Sequence, residues 1–232
     1  MSRRILLKLS GEALAGPNKT GFDEETVRNV GMQIKRACDE GLQVAIVIGG
    51  GNFWRGRSSD AIDRVKADQI GMLATVMNCL YVSSLFKSLG MESEVFCAFE
   101  VGGIVKLFDY DAVEAALNAN KVVFFAGGTG HPYFSTDTAT LLRAIEIEAD
   151  EILLAKSIDG VYDDDPKDHP DAKKYTEVTI DEVIAKNLKV VDMTASILAR
   201  ENRMPMYVFG LNEENSILRA ARGKIDGTSV TV

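Results

Sequence analysis

Two glycine-rich turns, each directly after an apolar run, are the segments of this chain best suited to hold a phosphate group. The first run and turn read VAIVIGGGN at residues 44–52, and the second read VVFFAGGTG at residues 122–130. Such a run is typical of a buried strand, and a glycine turn at its carboxyl end lets backbone N–H groups approach an anion. Neither turn has the lysine or the glycine spacing of the P-loop or the dinucleotide-binding fingerprint. The two turns predict two phosphate-bearing ligands.

Two cationic side chains accompany these turns. Lys8 ends the first apolar run of the chain, in KLSGEAL at residues 8–14, and Arg55 follows the first glycine turn by four residues. The glycines at 49–51 carry no Cβ, which permits positive φ angles and a close backbone approach to a ligand. An ammonium and a planar guanidinium there would bind phosphate oxygens. The structural alternatives are a solvated lysine and a tight turn beside a surface arginine.

The second turn continues into a polar segment that precedes a predicted helix. This segment supplies hydroxyl groups and the aromatic side chains of Tyr133 and Phe134. Hydroxyl and free N–H groups at a helix N-terminus suit an anion, and an aromatic ring can cover a flat base. The alternative is an ordinary helix start, with Ser135, Thr136 or Asp137 as the N-cap and the aromatic side chains in the core.

A third candidate segment is DGVYDDDP at residues 159–166. Tyr162 offers a flat ring to an adenine, and Asp165 offers carboxylate oxygens to a ribose or a ring amine. The alternative is a glycine-containing turn that leads into one long surface loop at residues 163–177.

Composition narrows the class of protein. The chain has 232 residues, of which 46% are hydrophobic and 26% charged, as expected for one globular domain over residues 1–232. A net charge of −8 disfavours a nucleic-acid surface, and no run of 18 apolar residues predicts a membrane span, so we expect a cytoplasmic protein. Cys38, Cys79 and Cys97 indicate buried, reduced thiols, and neither His131 nor His169 has a partner at metal-ligand spacing.

Apolar strand candidates alternate with helical patterns along the chain. The strand candidates cover residues 5–9, 44–48, 95–99, 122–126, 152–155 and 206–209. The helical patterns cover residues 23–39, 62–89, 111–117, 138–147, 180–185, 196–202 and 216–222. This alternation predicts an α/β fold with a mostly parallel sheet and helices on both faces. The pattern at 62–89 has an excess of apolar side chains, which indicates a face between subunits.

Six motifs, taken together and in order, resemble those of the bacterial uridylate kinases in the amino-acid kinase superfamily. They are KLSGEAL, VIGGGNFWRG, GMLATVMN, TGHPYFSTD, IEIEAD and DGVYDDDP. Carbamate, acetylglutamate, glutamate and aspartate kinases share the glycine turns but not TGHPYFSTD with GMLATVMN. The resemblance implies a three-layer αβα sandwich, a homohexamer, and Mg²⁺-dependent transfer of the ATP γ-phosphoryl group to UMP. It also implies inhibition by UTP.

The resemblance further implies a set of site residues. The ATP side would consist of Lys8, Leu9, Ser10, Gly11, Gly51, Arg55, Lys156, Tyr162 and Asp165. The UMP side would consist of Gly50, Asp68, Thr129, Gly130, His131, Pro132, Tyr133, Phe134, Ser135 and Thr136. Lys8 would bridge the two phosphates, and Asp137 and Asp192 are candidates to orient that lysine or a metal-bound water. No protein ligand is assigned to Mg²⁺, which ATP would hold. The first glycine turn would then serve both nucleotides, and the second would select UMP.

Two positions depart from the family pattern. His131 stands where an asparagine is common, and GPNKTGFD at residues 16–23 lacks the aromatic–glycine pair associated with activation by GTP. The resemblance therefore does not extend to GTP activation. Two other interpretations stay open, a carbamate or amino-acid kinase of the same superfamily and a nucleotide- or oxyanion-binding protein without catalysis. The presence of Lys8, Arg55 and Asp137 together favours catalysis.

Overall fold

The computed structural model describes residues 2–54 and 62–232. The strands are β1 (Arg4–Leu9), β2 (Gln43–Ile48), β3 (Ser93–Cys97), β4 (Lys106–Leu107), β5 (Val122–Ala126), β6 (Glu151–Lys156), β7 (Val161–Tyr162), β8 (Lys174–Tyr175), β9 (Glu177–Thr179), β10 (Met206–Gly210) and β11 (Gly227–Thr231). The helices are α1 (Gly11–Ala15), α2 (Glu24–Asp39), α3 (Arg64–Ser88), α4 (Tyr110–Asn118), α5 (Thr136–Glu146), α6 (Ile180–Ala185), α7 (Met193–Asn202) and α8 (Ser216–Ala221), with a 3₁₀ turn at Gly16–Asn18.

One sheet of nine strands runs through the described part of the chain. Its order is β4, β3, β5, β2, β1, β6, β10, β11 and β9, and neighbouring strands are parallel except for β10 and β11. The predicted mostly parallel sheet is confirmed, and each predicted strand is present within two residues of its expected ends. The segment at 163–177 is not one long loop, since β8 returns to pair with β7 in an antiparallel hairpin and β9 begins at its end.

Helices cover both faces of the sheet, which gives the three-layer αβα arrangement. One face packs against α1, α2, α3 and α8, and the other packs against α4, α5, α6 and α7. Side chains along β1 alternate between the two cores that form on the two faces of the sheet. Ile5, Leu7 and Leu9 belong to the first core, and Leu6 belongs to the second. Strands buried on both faces need apolar side chains at nearly every position, so they are visible in the sequence as continuous apolar runs.

The long helix α3 has two apolar sides. It begins after the N-cap Asp63 and packs Val82 and Phe86 into the first core. On its outer side, Leu73 and Met77 are 49% and 46% exposed, which accounts for the apolar excess in the sequence. By length and composition alone α3 could cross a membrane, with a mean hydropathy of 1.3 over 18 residues, and 44% of that stretch is buried inside the protein.

The three cysteines are buried and free, as predicted. Burial, with a smaller contribution from Asp39, raises the pKa of the Cys38 thiol to about 11. The thiol, not the reactive thiolate, is therefore the form present at neutral pH.

Candidate active site

The carboxyl ends of four neighbouring parallel strands meet at one edge of the sheet. These strands are β5, β2, β1 and β6, in that spatial order. The two glycine turns follow β2 and β5, while Lys8 and Lys156 lie at the ends of β1 and β6. Ligands of open parallel sheets collect at such an edge. The topology thus brings together motifs that lie far apart in the sequence.

Lys8 forms an ion pair with Asp137 at this edge. Strand alternation directs Lys8 to the same face as Leu6, and that face is covered by α5, whose first turn contains Asp137. Lys8 Nζ lies 2.8 Å from Asp137 Oδ1. This oxygen is buried and accepts no well-aligned hydrogen bond from the described residues, so the ammonium is its counter-charge. The carboxylate therefore holds the ammonium at the end of the strand.

Lys156 adds a second, partly buried ammonium beside this pair. Its Nζ donates a hydrogen bond to the backbone oxygen of Val190. Burial lowers the pKa of Lys156. The Asp137 carboxylate raises it in part, and the Lys8 ammonium lowers it further. Two ammonium groups against one carboxylate leave local positive charge in a chain of net charge −8. An anion placed there would favour the charged form of Lys156.

A cavity of about 490 Å³ opens over these charges. Its charged lining consists of Lys8, Arg64, Asp68, Asp137, Lys156, Lys189 and Asp192. The volume lies in the range of about 300 to 1,000 Å³ that is usual for small-molecule sites. With four cations and three carboxylates, the lining suits a small polyanion.

Asp192 lines this cavity but does not contact Lys8. As the N-cap of α7, its carboxylate accepts hydrogen bonds from Ala195 N at 3.0 Å and from the hydroxyl groups of Ser135 and Thr138. Burial raises the pKa of Asp192, but these hydrogen bonds outweigh burial and lower it overall. Of the two carboxylates that were candidates to orient Lys8, Asp137 is the one in contact with it.

The first glycine turn is packed tightly between α1 and α3. Glycine would permit positive φ angles there, but none of its three glycines is left-handed. Close packing requires glycine at position 50 instead, because a Cβ there would lie 2.8 Å from the backbone oxygen of Gly71. A Cβ at Gly51 would lie 2.2 Å from Glu12 Oε1, so the flexible Glu12 side chain would have to move. Among the described residues, the N–H groups of Gly50 and Gly51 meet no protein acceptor, which leaves two donors for a ligand or water.

The second glycine turn does use the left-handed backbone. Gly127, Gly128 and Gly130 have φ angles of 79°, 61° and 81°. Gly127 N donates a hydrogen bond of 2.8 Å to Oγ1 of Thr75, which ties this turn to α3. The next helix, α5, is capped by Ser135, one of the three predicted candidates.

Most residues expected on the UMP side line one cleft between the two turns. The cleft is lined in part by Gly50, Asp68, Thr129, His131, Phe134 and Thr136. Gly130 and Pro132 belong to the same loop without lining the cleft. Tyr133 and Phe134 are 67% and 50% exposed, so the alternative that placed them in the core is wrong. Exposed aromatic rings beside an anion-sized turn suit a nucleotide base.

Asp68 connects α3 to the aromatic loop. Its carboxylate accepts hydrogen bonds from Arg64 Nε at 2.8 Å and from Tyr133 N at 2.7 Å. The Arg64 guanidinium lies 5.3 Å from the centroid of the Tyr133 ring. A ribose hydroxyl at Asp68 would share the carboxylate with these donors.

The residues expected on the ATP side are more dispersed. Ser10 caps α1 and, with Lys156, lines a second cavity of about 820 Å³. Tyr162 and Asp165 lie on the hairpin side of the edge and line neither this cavity nor the smaller one, and Tyr162 donates its hydroxyl to Asp159 Oδ1 at 2.8 Å. Arg55 lies outside the described residues.

Two other positions on the ATP side offer backbone only. Leu9 is fully buried in the first core, so its side chain cannot reach a ligand. Gly11 begins α1 against the first glycine turn, where a Cβ would lie 2.4 Å from Asn52 Oδ1. Neither Leu9 nor Gly11 can therefore offer a side chain to a ligand.

Sequence reasoning missed three polar residues of this region, Arg64, Thr75 and Asn78. Thr75 and Asn78 belong to GMLATVMN and are buried, although they lie in an otherwise apolar helix. A buried polar side chain must find a hydrogen-bond partner, so two of them on one side of an apolar helix were a usable signal. Arg64 precedes Asp68 by four residues, the spacing of an ion pair within a helix.

An open parallel sheet with glycine turns and paired lysines at its carboxyl edge is typical of α/β proteins that bind phosphorylated ligands. Residues 3–210 match the Amino acid kinase family, and the chain belongs to that family. The crystal structure of UMP kinase from Ureaplasma parvum is similar over 100% of both chains, with a TM-score of 0.95 and 34% identity.

Two further solved structures agree with this family assignment. UMP kinase from Bacillus anthracis has a TM-score of 0.95 and 35% identity, over 99% of this chain and 96% of the other. Uridylate kinase from Archaeoglobus fulgidus has a TM-score of 0.76 and 27% identity over 100% of both chains. The resemblance inferred from the motifs and the αβα fold it implied are confirmed.

We predict that Asp192→Asn lowers the free energy of unfolding at pH 7 by about 1.5 to 3 kcal/mol, the usual value for hydrogen bonds to a charged group. Because the pKa of Asp192 is lowered from 3.8, its contribution is complete above pH 3.8 and is lost as pH falls through the lower folded-state pKa. Urea titrations should therefore show a difference from wild type that shrinks below pH 3.8. Asp181→Asn, at an exposed carboxylate, is the control. A difference independent of pH would contradict this account.

Proposed function

We propose that this protein is a UMP kinase, which transfers the γ-phosphoryl group of ATP to UMP and gives UDP and ADP. One observation carries the proposal: the cleft expected for the acceptor adjoins the cavity of the Lys8–Asp137 pair, and both are lined by Asp68, Phe134 and Thr136. The similarity of the whole chain to two UMP kinases, at 34% and 35% identity, supports the same substrate.

The proposed reaction needs neutralisation of charge more than it needs a base. The second pKa of a phosphate monoester is about 6, so the attacking oxygen of UMP is already anionic near neutral pH. That oxygen bonds to the γ-phosphorus as the bond from the γ-phosphorus to the β,γ-bridging oxygen breaks, and ADP leaves with the electron pair. Bringing two phosphates together in line is the main difficulty, and positioning with electrostatic stabilisation overcomes it.

Lys8 is the group best suited to this task. We propose that its ammonium bridges the donor and acceptor phosphates while Asp137 fixes its position. Gly50 N–H would bind the acceptor phosphate and Gly51 N–H the donor phosphate, with Arg55 as a further cation. Donors that are already oriented cost no reorganisation when charge moves in the transition state.

Mg²⁺ is proposed to accompany ATP. Residues 2–54 and 62–232 contain no group of three or more His, Cys, Asp or Glu that could hold a metal ion. Asp137, the carboxylate nearest Lys8, is engaged by that ammonium. This donor set fits an ion held by ATP phosphates, with Asp137 or Asp192 orienting its water. Bound there, Mg²⁺ would neutralise phosphate charge.

We also propose a set of partners and a location. UTP, which shares uracil and ribose with UMP, would inhibit by occupying the acceptor cleft. The net charge of −8 supports small nucleotides, rather than nucleic acid or a membrane, as partners of a cytoplasmic protein.

Self-association as a homohexamer would use the outer side of α3, where Ile70, Leu73 and Met77 form an exposed apolar stripe.

A nucleotide panel tests the activity. Coupled measurement of ADP release with UMP, CMP, glutamate or carbamate as acceptor is expected to show turnover with UMP. Turnover with glutamate or carbamate would assign a different kinase of the family. Binding of UMP without ADP release would indicate a non-catalytic nucleotide-binding protein.

Lys8→Met tests the proposed role of the lysine. Loss of a preorganised electrostatic donor should lower kcat by roughly 10² to 10³. Steady-state kinetics with ATP and UMP measure this change, and Lys224→Met, at an exposed lysine, should retain wild-type turnover. Near wild-type turnover of Lys8→Met would refute the mechanism.

Met77→Glu tests the subunit contact. A charge placed without a partner in an apolar interface costs several kcal/mol, so sedimentation equilibrium should give a smaller assembly than wild type. Met193→Glu is the matched control, because Met193 is 50% exposed and lies on α7, on the opposite face of the sheet. An unchanged mass for Met77→Glu would place the contact elsewhere.

A further inference from the structure

Two buried asparagine side chains join the first glycine turn to α3. Asn52, directly after the turn, is 2% exposed, and Asn78, within α3, is 0% exposed. Asn52 Nδ2 donates to Asn78 Oδ1 at 2.9 Å, and Asn78 Nδ2 donates to Asn52 Oδ1 at 2.8 Å. The two amides therefore form a closed ring of two hydrogen bonds, which we name the amide pair.

The remaining hydrogen of each amide fixes the amide pair on the backbone. Asn78 Nδ2 also donates to Gly49 O at 2.7 Å, and Asn52 Nδ2 also donates to Gly21 O at 2.9 Å. Because both of these acceptors are carbonyl oxygens, each Nδ2 has a partner in only one orientation of its amide. Both amides have all their hydrogens bonded, and the turn is tied at once to α3 and to the segment at 16–23.

The amide pair acts on the two ends of the turn. Asn78 holds Gly49 through its carbonyl oxygen and Asn52 through its side chain. Gly50 and Gly51, whose N–H groups meet no acceptor among the described residues, are the only residues between these two ends. The direction in which those two N–H groups point therefore depends on where Asn78 holds Gly49 and Asn52.

We propose that Asn78 is a positioning residue for phosphoryl transfer, because through Gly49 and Asn52 it orients the N–H groups of Gly50 and Gly51 toward the reacting phosphates. This inference rests on the proposed function. Both donor hydrogens of the Asn78 amide end on Gly49 and Asn52, at the two ends of the turn proposed to bind the phosphates.

Asn78→Ala removes the three hydrogen bonds that join this side chain to Gly49 and Asn52. We expect kcat to fall roughly 10- to 100-fold, with a smaller rise in KM for UMP, since misplaced donors act mainly on the transition state. Ser83→Ala is the matched control, because Ser83 is also buried in α3 and loses a side-chain hydrogen bond, to Ser93. Its kcat should stay near the wild-type value even where its thermal stability falls.

Trp54 reports on the turn without any turnover. It is the single tryptophan of the chain, its N donates to Gly50 O at 3.0 Å, and its Nε1 donates to Ala67 O at 2.9 Å. We expect Asn78→Ala to increase acrylamide quenching of Trp54 fluorescence and Ser83→Ala to leave it unchanged. This readout tests the amide pair even if the wild-type protein releases no ADP with UMP, so the two proposals fail separately.

Asn78→Asp extends the test to a variant of equal side-chain volume, for use if Asn78→Ala does not fold. A carboxylate cannot donate to Gly49 O or to Asn52 Oδ1, so lower kcat and stronger Trp54 quenching are again expected. Wild-type kcat and quenching in a folded variant would overturn the proposal, even with lower thermal stability. A fall in kcat with unchanged quenching would also overturn it, because Asn78 would then not act through the turn.

Discussion

One side of α3 holds both glycine turns, and the rest of the site depends on this contact. Thr75 accepts a hydrogen bond from Gly127 N of the second turn, and Asn78 donates one to Gly49 O of the first. Residues three apart lie on one side of a helix, so the distance between the two turns is set by helix geometry. Phosphoryl transfer needs its two substrates aligned closely, and a rigid helix provides this better than loops that rest only on each other.

Charge at the sheet edge is only partly balanced by the carboxylates of the site. Lys8 is paired with Asp137, and Lys156 hydrogen-bonds a backbone oxygen instead of a carboxylate. Burial lowers the pKa of Lys156, and the neighbouring Lys8 lowers it further. The positive charge of the two lysines is therefore only partly neutralised by the carboxylates of the site. A phosphate group would remove that imbalance, which is how an acidic protein can bind an anionic ligand tightly at one edge.

The main elements were predictable because their physical cause is local. Buried parallel strands such as β2 and β5 are continuous apolar runs, and α3 is a long apolar helical pattern. The strands β4 and β11 were missed because β4 is two exposed residues and β11 contains few apolar side chains, so only their partners define them. The contact of Asp137 with Lys8 and the hydrogen bonds of Ser135 and Thr138 to Asp192 depend on how α5 packs against β1 and α7, which no spacing in the sequence reveals.

The two glycine turns need glycine for different reasons. In the second turn the backbone is left-handed, and at Gly127 a Cβ would also lie 2.8 Å from Cys97 Sγ. In the first turn the φ angles are ordinary, and the obstacle to a Cβ at Gly50 is the backbone oxygen of Gly71, while Gly51 faces the end of the flexible Glu12 side chain. The first turn is thus a junction where α1 and α3 approach one backbone segment from two sides. Gly50 and Gly51 have no side chains that could cover their N–H groups. Two phosphates that bind to one turn would require this.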